Sequence, residues 1–210
     1  MTLRKSCLMI LAVAVVGLTA PMSSKASIIT YFALLDGPSE SPTNASPGIG
    51  TATITFDTVL FNVRVQAGYS GLLGNTTAAH IHCCTAAAGA GTAGVATQTP
   101  FFVGFPLRGT AGTYDHLYTQ VTTFTDFWNA PFVTANGGLT GAFTGLLAGL
   151  DAGKAYFNVH SSAFPGGEIR GFLAPVPLPA ALPLFTTGLG LLGLLGWRRK
   201  RQQKMNAAAA

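Results

Sequence analysis

Histidine and cysteine are concentrated in one short stretch of the sequence, AAHIHCC at residues 78–84. Two of the four histidines, His80 and His82, lie two residues apart, and Cys83 and Cys84 follow directly. On a β-strand, residues two apart point to the same face and lie about 7 Å apart, so two imidazoles there can converge on one metal ion. The stretch allows two interpretations: a metal site, or structural strand residues next to a turn constrained by the redox state of its cysteines.

A third histidine lies in a second strand-like stretch, AYFNVHS at residues 155–161. If this strand pairs with the first, His160 becomes a third nitrogen ligand, and Glu168 offers an oxygen ligand. Three histidines with an open fourth position suit zinc or copper. The alternative is structural, because a histidine on a strand also hydrogen-bonds backbone carbonyls or stacks on its neighbours. His116, in TYDHLY, is expected at the surface or in a loop.

Cys83 and Cys84 allow three interpretations. Adjacent cysteines can close a vicinal disulfide, supply thiolates to a metal ion, or stay free or bond another chain. An exported protein meets an oxidising compartment, which favours a disulfide. The sequence has no C-x-x-C spacing and no G-x-S-x-G, P-loop or H-E-x-x-H motif. We therefore expect no enzymatic activity.

The elements that must position these side chains are short strands. GTATITFD (50–57) and LFNVRVQAGY (60–69) alternate apolar and polar residues, which predicts two half-buried strands joined as a hairpin. Further strands are expected over 28–35, 76–82, 112–122, 155–161 and 167–173, with an extended stretch at 95–105.

Two stretches do not fit the strand pattern. Residues 124–138 predict a helical or irregular excursion broken by Pro131. Residues 140–154 carry apolar side chains at helical spacing, which predicts a short amphipathic helix. These side chains are Phe143, Leu146, Leu147 and Leu150.

Composition and charge narrow the class of protein. The chain has 210 residues, 26 of them glycine, and only 9% are charged, which favours short strands over a helical bundle. The net charge is +5, but eight of the twelve basic residues lie in the first 26 or the last 13 positions. The region between has four basic and seven acidic residues, a net charge of −3. The basic charge belongs to the termini, so we exclude nucleic acid as a partner.

The N-terminus, MTLRKSCLMILAVAVVGLTAPMSSKAS, has the three parts of a Sec-type signal peptide. Arg4 and Lys5 form a positive start, residues 7–18 are apolar, and small residues precede a cleavage site after Ala26. The apolar run is too short to favour a membrane-spanning helix. We expect residues 1–26 to be a signal helix that is removed on export through the Sec translocon.

The C-terminus combines a proline motif, Val176-Pro177-Leu178-Pro179, with an apolar run and a basic cluster. The run at 180–197, about 18 residues, is just long enough for a transmembrane helix. The residues that close it are Trp197, Arg198, Arg199, Lys200 and Arg201. Basic residues stay on the cytoplasmic side, so the domain before the helix faces away from the cytoplasm.

This end of the chain, assigned to residues 175–201, resembles the PEP-CTERM sorting signal in its VPLPAALPL variant. The resemblance implies recognition by an exosortase in a Gram-negative bacterium. The helix is then removed after export, and the protein is released or re-attached at the cell surface, as for other cleaved apolar tails. Residues 202–210 look like an appended tail. The alternative is a plain tail anchor that keeps the protein in the membrane.

Three stretches of the middle region together resemble the CHRD domain, the module named from chordin: FNVRVQAGYSGLL, AAHIHCC and AYFNVHSSAFPGGEIRGFL. The resemblance covers about residues 29–173 and implies an immunoglobulin-like β-sandwich of secreted proteins with no established enzyme activity. The H-x-H strand is also similar to the copper/zinc superoxide dismutase sandwich, although the aspartate of that ligand set is not identified. We expect an all-β sandwich domain of one of these two kinds at 27–174, with a short helical insertion.

Two functions from different classes are consistent with these features. The first is an exported, exosortase-sorted, non-catalytic module of the cell surface or extracellular matrix that binds a surface polysaccharide or protein. The second is a metal-binding protein or Cu/Zn-type oxidoreductase that uses His80, His82 and His160. Bound zinc or copper would distinguish the second from the first.

Overall fold

The structure, a computed structural model, describes residues 28–177, 190, 192–201, 203 and 206. Eight strands and two helices follow one another along residues 28–175. They are β1 (Ile28–Asp36), β2 (Ile49–Asp57), β3 (Asn62–Ser70), β4 (Thr76–Cys83), β5 (Gly112–Tyr118), α1 (Ala130–Ala135), α2 (Leu139–Asp151), β6 (Ala155–Ser161), β7 (Ile169–Phe172) and β8 (Ala174–Pro175).

The strands form one antiparallel sheet that curls into a half-barrel. Their order is β4-β6-β7-β1-β2-β3-β5, and β8 adds to β1. The hairpin predicted for β2 and β3 is confirmed, with Asp57 opposite Asn62 at its closed end. The all-β prediction is confirmed as well, because strands dominate and the two helices are short.

An aromatic core fills the concave side of the sheet and joins its two ends. Phe102 and Phe105, from the long loop between β4 and β5, pack on Phe157 of β6 and on Tyr114 of β5. Alternating strand residues supply the rest, as the period-two pattern predicts. Among the fully buried side chains are Tyr31, Ile54, Phe56, Val63, Val65, Ile81 and Ile169.

The helix predicted over 140–154 is confirmed as α2, and Phe143, Leu146 and Leu150 are buried in the core. Pro131 was predicted to break a helical excursion, but it lies in the first turn of α1 instead. Proline is tolerated there because the first turn leaves its N–H groups without intrahelical partners. The predicted extended stretch at 95–105 forms only isolated bridges, among them those of Val95 and Phe101.

The two chain ends are only partly described. The predicted signal helix with its cleavage site at Ala26, the residues Leu178 and Pro179, and most of the apolar run lie outside the described residues. Residues 192–201 are helical, and the Arg201 guanidinium lies 5.5 Å from the Trp197 ring centre. No helix among the described residues is both long and apolar enough to cross a bilayer.

Candidate metal centre

Strand pairing brings three histidines to one face of the sheet. In the antiparallel register of β4 and β6, His80 lies opposite Asn158, His82 opposite Tyr156, and Ala78 opposite His160. The residues between them face the core, so the histidines point to the convex side. The pairing on which the third ligand depended is therefore present.

The three imidazoles converge on one another. The Nε2 atoms of His80 and His160 are 2.9 Å apart. One ligand atom from each of His80, His82 and His160 can be chosen so that all three lie within 4.8 Å of one another. His80 is buried, and the other two are half-buried. Two nitrogens bound to one zinc ion at about 2.0–2.1 Å lie at most about 4.2 Å apart, so a small shift of the rings would let a single ion contact all three.

Backbone carbonyls fix the protonation of each ring. The Nδ1 atoms of His80, His82 and His160 lie 3.0, 2.8 and 2.9 Å from three carbonyl oxygens. These oxygens belong, in the same order, to Pro100, Ala93 and Pro165. A carbonyl only accepts, so each Nδ1 donates its proton and each Nε2 keeps a lone pair. Metal-bound histidines typically show this arrangement.

The lone pairs lack suitable donors. The Nε2 atoms of His80 and His160 face each other, and with both Nδ1 atoms protonated no proton remains for the contact between them. The Nε2 of His82 is buried and has no hydrogen-bond partner among the described residues. A buried acceptor without a donor costs about 1–3 kcal/mol, and a cation at the point of convergence would satisfy all three.

Electrostatics keep the histidines neutral. Burial, followed by the neighbouring His82 and His160 rings, lowers the pKa of His80 to about 3, against the opposing effect of the Pro100 carbonyl. Burial also lowers the pKa of His82 to about 4, with the Ala93 carbonyl opposing it. The pKa of His160 is lowered by burial as well. Neutral imidazole is the form that binds metals.

Aromatic and cationic side chains support one side of the cluster. The His82 ring stacks on Tyr156 at 4.6 Å with an interplanar angle of 8°. The Arg170 guanidinium lies 4.7 Å from the centre of the Tyr156 ring. Arg170 is itself buried and donates to the Ser39 and Gly91 carbonyls. This stack fixes the orientation of the His82 ring.

The structure does not bring Glu168 into the cluster, so its expected role as an oxygen ligand is wrong. Its buried carboxylate accepts from Ser46 Oγ at 2.7 Å, from Ser161 Oγ, and from the backbone N–H groups of Leu73 and Gly74. Burial by itself would raise the pKa of Glu168, but these hydrogen bonds outweigh it and lower the pKa. Glu168, in the loop between β6 and β7, therefore connects this loop to the β1–β2 loop and the β3–β4 loop.

Sequence reasoning missed Glu40, which lies in the loop after β1. Its carboxylate is buried 3.8 Å from Arg170 Nε. Burial raises the pKa of Glu40 to about 7, only partly opposed by Arg170 and the Ser41 backbone. The loop GPSESPTNASPG has no periodicity that would mark one of its residues as buried. No signal in the sequence could have identified this residue.

The two cysteines and the fourth histidine lie outside the cluster. Cys83 and Cys84 are joined as a vicinal disulfide, with Cys83 buried and Cys84 exposed. Disulfide sulfurs are not thiolates, so in this state the pair supplies no thiolate ligand. His116 is half-buried on β5, where its ring centre lies 4.5 Å from that of Tyr118.

Comparison with known proteins places the domain in a family. The family model of the CHRD domain matches residues 31–173, which include all three histidines of the cluster. No curated protein and no solved structure matches the chain. The matched region covers more than half of the chain, from β1 to the end of β7. The chain therefore belongs to the CHRD domain family.

Proposed function

We propose that this CHRD domain binds one zinc or copper ion through the Nε2 atoms of His80, His82 and His160. The observation that carries the proposal is that each Nδ1 donates to a backbone carbonyl, while one nitrogen from each of the three rings lies within 4.8 Å of the other two. Three neutral nitrogen ligands leave a fourth position for water or another ligand.

The structural alternative explains less of the geometry. Histidines kept only for packing would satisfy both ring nitrogens or leave one in solvent. Here the Nε2 of His82 is buried and has no hydrogen-bond partner in the part of the chain that the structure describes, and the other two Nε2 atoms face each other. The low pKa of each ring argues against a shared proton in place of the metal.

A calorimetric titration tests the site. Zn²⁺ or Cu²⁺ is added to the metal-free chain, to His82→Ala and to His116→Ala, a matched loss of a histidine outside the cluster. We expect one equivalent to bind the wild-type chain and His116→Ala, and at least a hundredfold weaker binding to His82→Ala. Equal binding by both variants would remove the proposal.

The biological setting we propose is a non-catalytic module of the cell surface or extracellular matrix, with a polysaccharide or protein partner. The lack of a catalytic sequence motif supports this role. A Cu/Zn-type oxidoreductase is the second candidate, favoured by the open fourth position. Superoxide dismutation and oxidase assays on the metal-loaded chain distinguish the two.

The immunoglobulin-like or superoxide-dismutase-like sandwich remains our proposal for the finer fold class, supported by the packing of β5 and β6 on shared aromatic residues.

Export by the Sec translocon and sorting by an exosortase complete the proposal. The signal-peptide pattern at 1–26 and the PEP-CTERM-like pattern at 176–201 support it, and the disulfide fits an oxidising compartment. Intact mass of the protein recovered from the cell surface is the test. We expect cleavage after Ala26 and near Pro177–Pro179, whereas an uncut C-terminus would mean a membrane-retained protein.

A further inference from the structure

Both ends of the described domain emerge at the same place as one hairpin turn. Ile28, the first residue of β1, pairs with Asp57, the last residue of β2, and the turn at 58–61 follows directly. After β8, the Val176 N–H donates to the Thr30 carbonyl at 2.8 Å, so the chain leaves the sheet beside the start of β1. The turn and both chain ends therefore share one end of the domain.

This end exposes apolar side chains. In the turn, Val59 is 67% exposed, Leu60 59% and Phe61 39%. Ile28 and Val176 beside it are also exposed. Hairpin turns are usually built from Gly, Asn, Asp, Ser and Pro. Turn formation alone therefore does not explain the three apolar residues Val, Leu and Phe in this turn.

The turn is held in place by its own contacts. The Asp57 carboxylate accepts the Val59 and Leu60 N–H groups at 2.9 and 2.8 Å. The Phe61 ring packs edge-on against Phe143 of α2, with ring centres 5.4 Å apart. A cavity of about 550 Å³ beside this pair is lined by Ile29 and Leu147, among others. The apolar surface therefore extends from the turn onto α2.

The length of chain after the domain limits where this end can lie. Pro177 is separated from the apolar run, which begins at Ala180, by only two residues. A fully extended chain covers at most about 3.6 Å per residue, so Pro177 lies within about 11 Å of the start of the run. Once the run enters a bilayer, the end of the domain that carries the turn must lie at the bilayer surface.

We propose that the Val59–Phe61 turn, with Ile28 and Val176, docks into the interfacial layer of the membrane while the C-terminal run is inserted. The docking rests on the membrane stage of the proposed function and would orient the domain before the run is removed. The acidic groups here are already bound, Asp57 by the turn and Asp151 by the Tyr31 hydroxyl at 2.6 Å. Burial of apolar surface therefore drives the docking, and zwitterionic lipid is sufficient.

Depth measurement in vesicles tests the docking. The chain from residue 27 to residue 210 is reconstituted in phosphatidylcholine vesicles with the dye NBD on Val59→Cys or Leu60→Cys. The matched control is Leu73→Cys, which is 59% exposed and follows the opposite end of β3. We expect blue-shifted emission, and quenching by nitroxide-labelled lipids, for both turn positions but not for Leu73. Wild-type chain treated with the same dye gives the background labelling of the two native cysteines.

Vesicle flotation distinguishes insertion of the C-terminal run, which the depth measurement assumes, from docking of the turn. A chain that does not float with vesicles would refute the membrane stage, and the docking with it. A chain that floats while the dye at Val59 and Leu60 emits as it does at Leu73 would refute the docking alone. Circular dichroism would show whether one labelled variant has lost its fold. The variant labelled at the other turn position would then test the docking.

Discussion

At the scale of single residues, three backbone carbonyls decide what the histidines can do. The oxygens of Ala93, Pro100 and Pro165 each accept one Nδ1 proton, which leaves the Nε2 lone pair of each ring available to a metal ion. Such partners fix the ring orientation and raise the basicity of the ligand nitrogen. All three carbonyls lie in loops, whereas the three histidines lie on strands. The strands therefore supply the metal ligands, and the loops fix the orientation and protonation of each ring.

The lowered pKa values predict metal binding that resists acid. A site of three ordinary histidines, each with a pKa near 6.5, loses roughly a thousandfold in affinity between pH 7.5 and pH 5.5, because protons compete for each ring. With the pKa of His80 lowered to about 3 and that of His82 to about 4, we expect a loss of no more than about tenfold. Competition with a chelator at both pH values measures it, and a thousandfold loss would contradict the account.

The buried carboxyl group of Glu40 predicts a pH dependence of stability. Its pKa is raised by burial from 4.5 to about 7, so the folded chain holds this proton more tightly than the unfolded chain. Stability contributed by the protonated group is therefore lost as the pH rises from about 4.5 to 7. Between pH 5 and pH 8 we expect the wild-type chain to lose on the order of 2 kcal/mol relative to Glu40→Gln.

Urea unfolding of both metal-free chains at the two pH values provides that comparison. All other titratable groups are the same in both chains, so the difference between the chains isolates residue 40. Parallel pH dependences would show that Glu40 keeps an ordinary pKa.

At the scale of elements, α2 is shaped to fit the disulfide. A Cβ at Gly149 would collide with the Sγ atoms of both Cys83 and Cys84. Alanine normally stabilises a helix interior by about 1 kcal/mol relative to glycine, but here we expect Gly149→Ala to destabilise the domain by about 1–3 kcal/mol because the core is overpacked. Chemical denaturation measures the change.

A double-mutant cycle attributes that cost to the disulfide. In the Cys83→Ala/Cys84→Ala background both sulfurs are gone, so Gly149→Ala should become neutral or stabilising. Gly145→Ala on the same helix is the control, because the three atoms nearest to its Cβ all belong to the side-chain amide of Asn136 and none to the disulfide. The same cost in both backgrounds would mean that α2 is limited by another contact.

The loops around β7 depend on one buried carboxylate. Glu168→Gln places an amide NH₂ among the N–H and O–H donors of Leu73, Ser46 and Ser161. We expect a loss of about 2–3 kcal/mol, since buried donors would be left unpaired. Asp115→Asn is the surface control: Asp115 pairs with Arg64 at 2.6 Å, but both side chains are half-exposed, so this substitution should destabilise the domain much less than Glu168→Gln. Equal losses would contradict the role assigned to Glu168.

At the scale of the whole molecule, regular elements could be predicted and loop contacts could not. The period-two pattern places His80 and His82 on one face before any pairing is known. His160 needed the register of β4 and β6, which no local pattern gives. Glu168 was assigned wrongly because its carboxylate is taken up by hydrogen bonds from Ser46, Ser161 and the 73–74 backbone, contacts between distant segments that no local pattern gives.

The family assignment of the domain and the predictions for the two chain ends also differ in outcome. The CHRD resemblance rests on stretches that form β3, β4, β6 and β7, and the family match confirms it. The sorting signal and signal peptide remain predictions. Both ends of the folded domain lie at the end that exposes the Val59–Phe61 turn. This arrangement is consistent with the proposal that the protein is tethered during export and released later.

X-ray absorption at the metal edge tests the central claim most directly. The chain is secreted into an oxidising compartment, purified, loaded with one equivalent of zinc and measured in solution. We expect a first shell of nitrogen or oxygen at about 2.0–2.1 Å, with the outer-shell scattering of three imidazoles, and one imidazole fewer in His82→Ala. A sulfur shell at about 2.3 Å, or oxygen ligands without imidazole scattering, would contradict it.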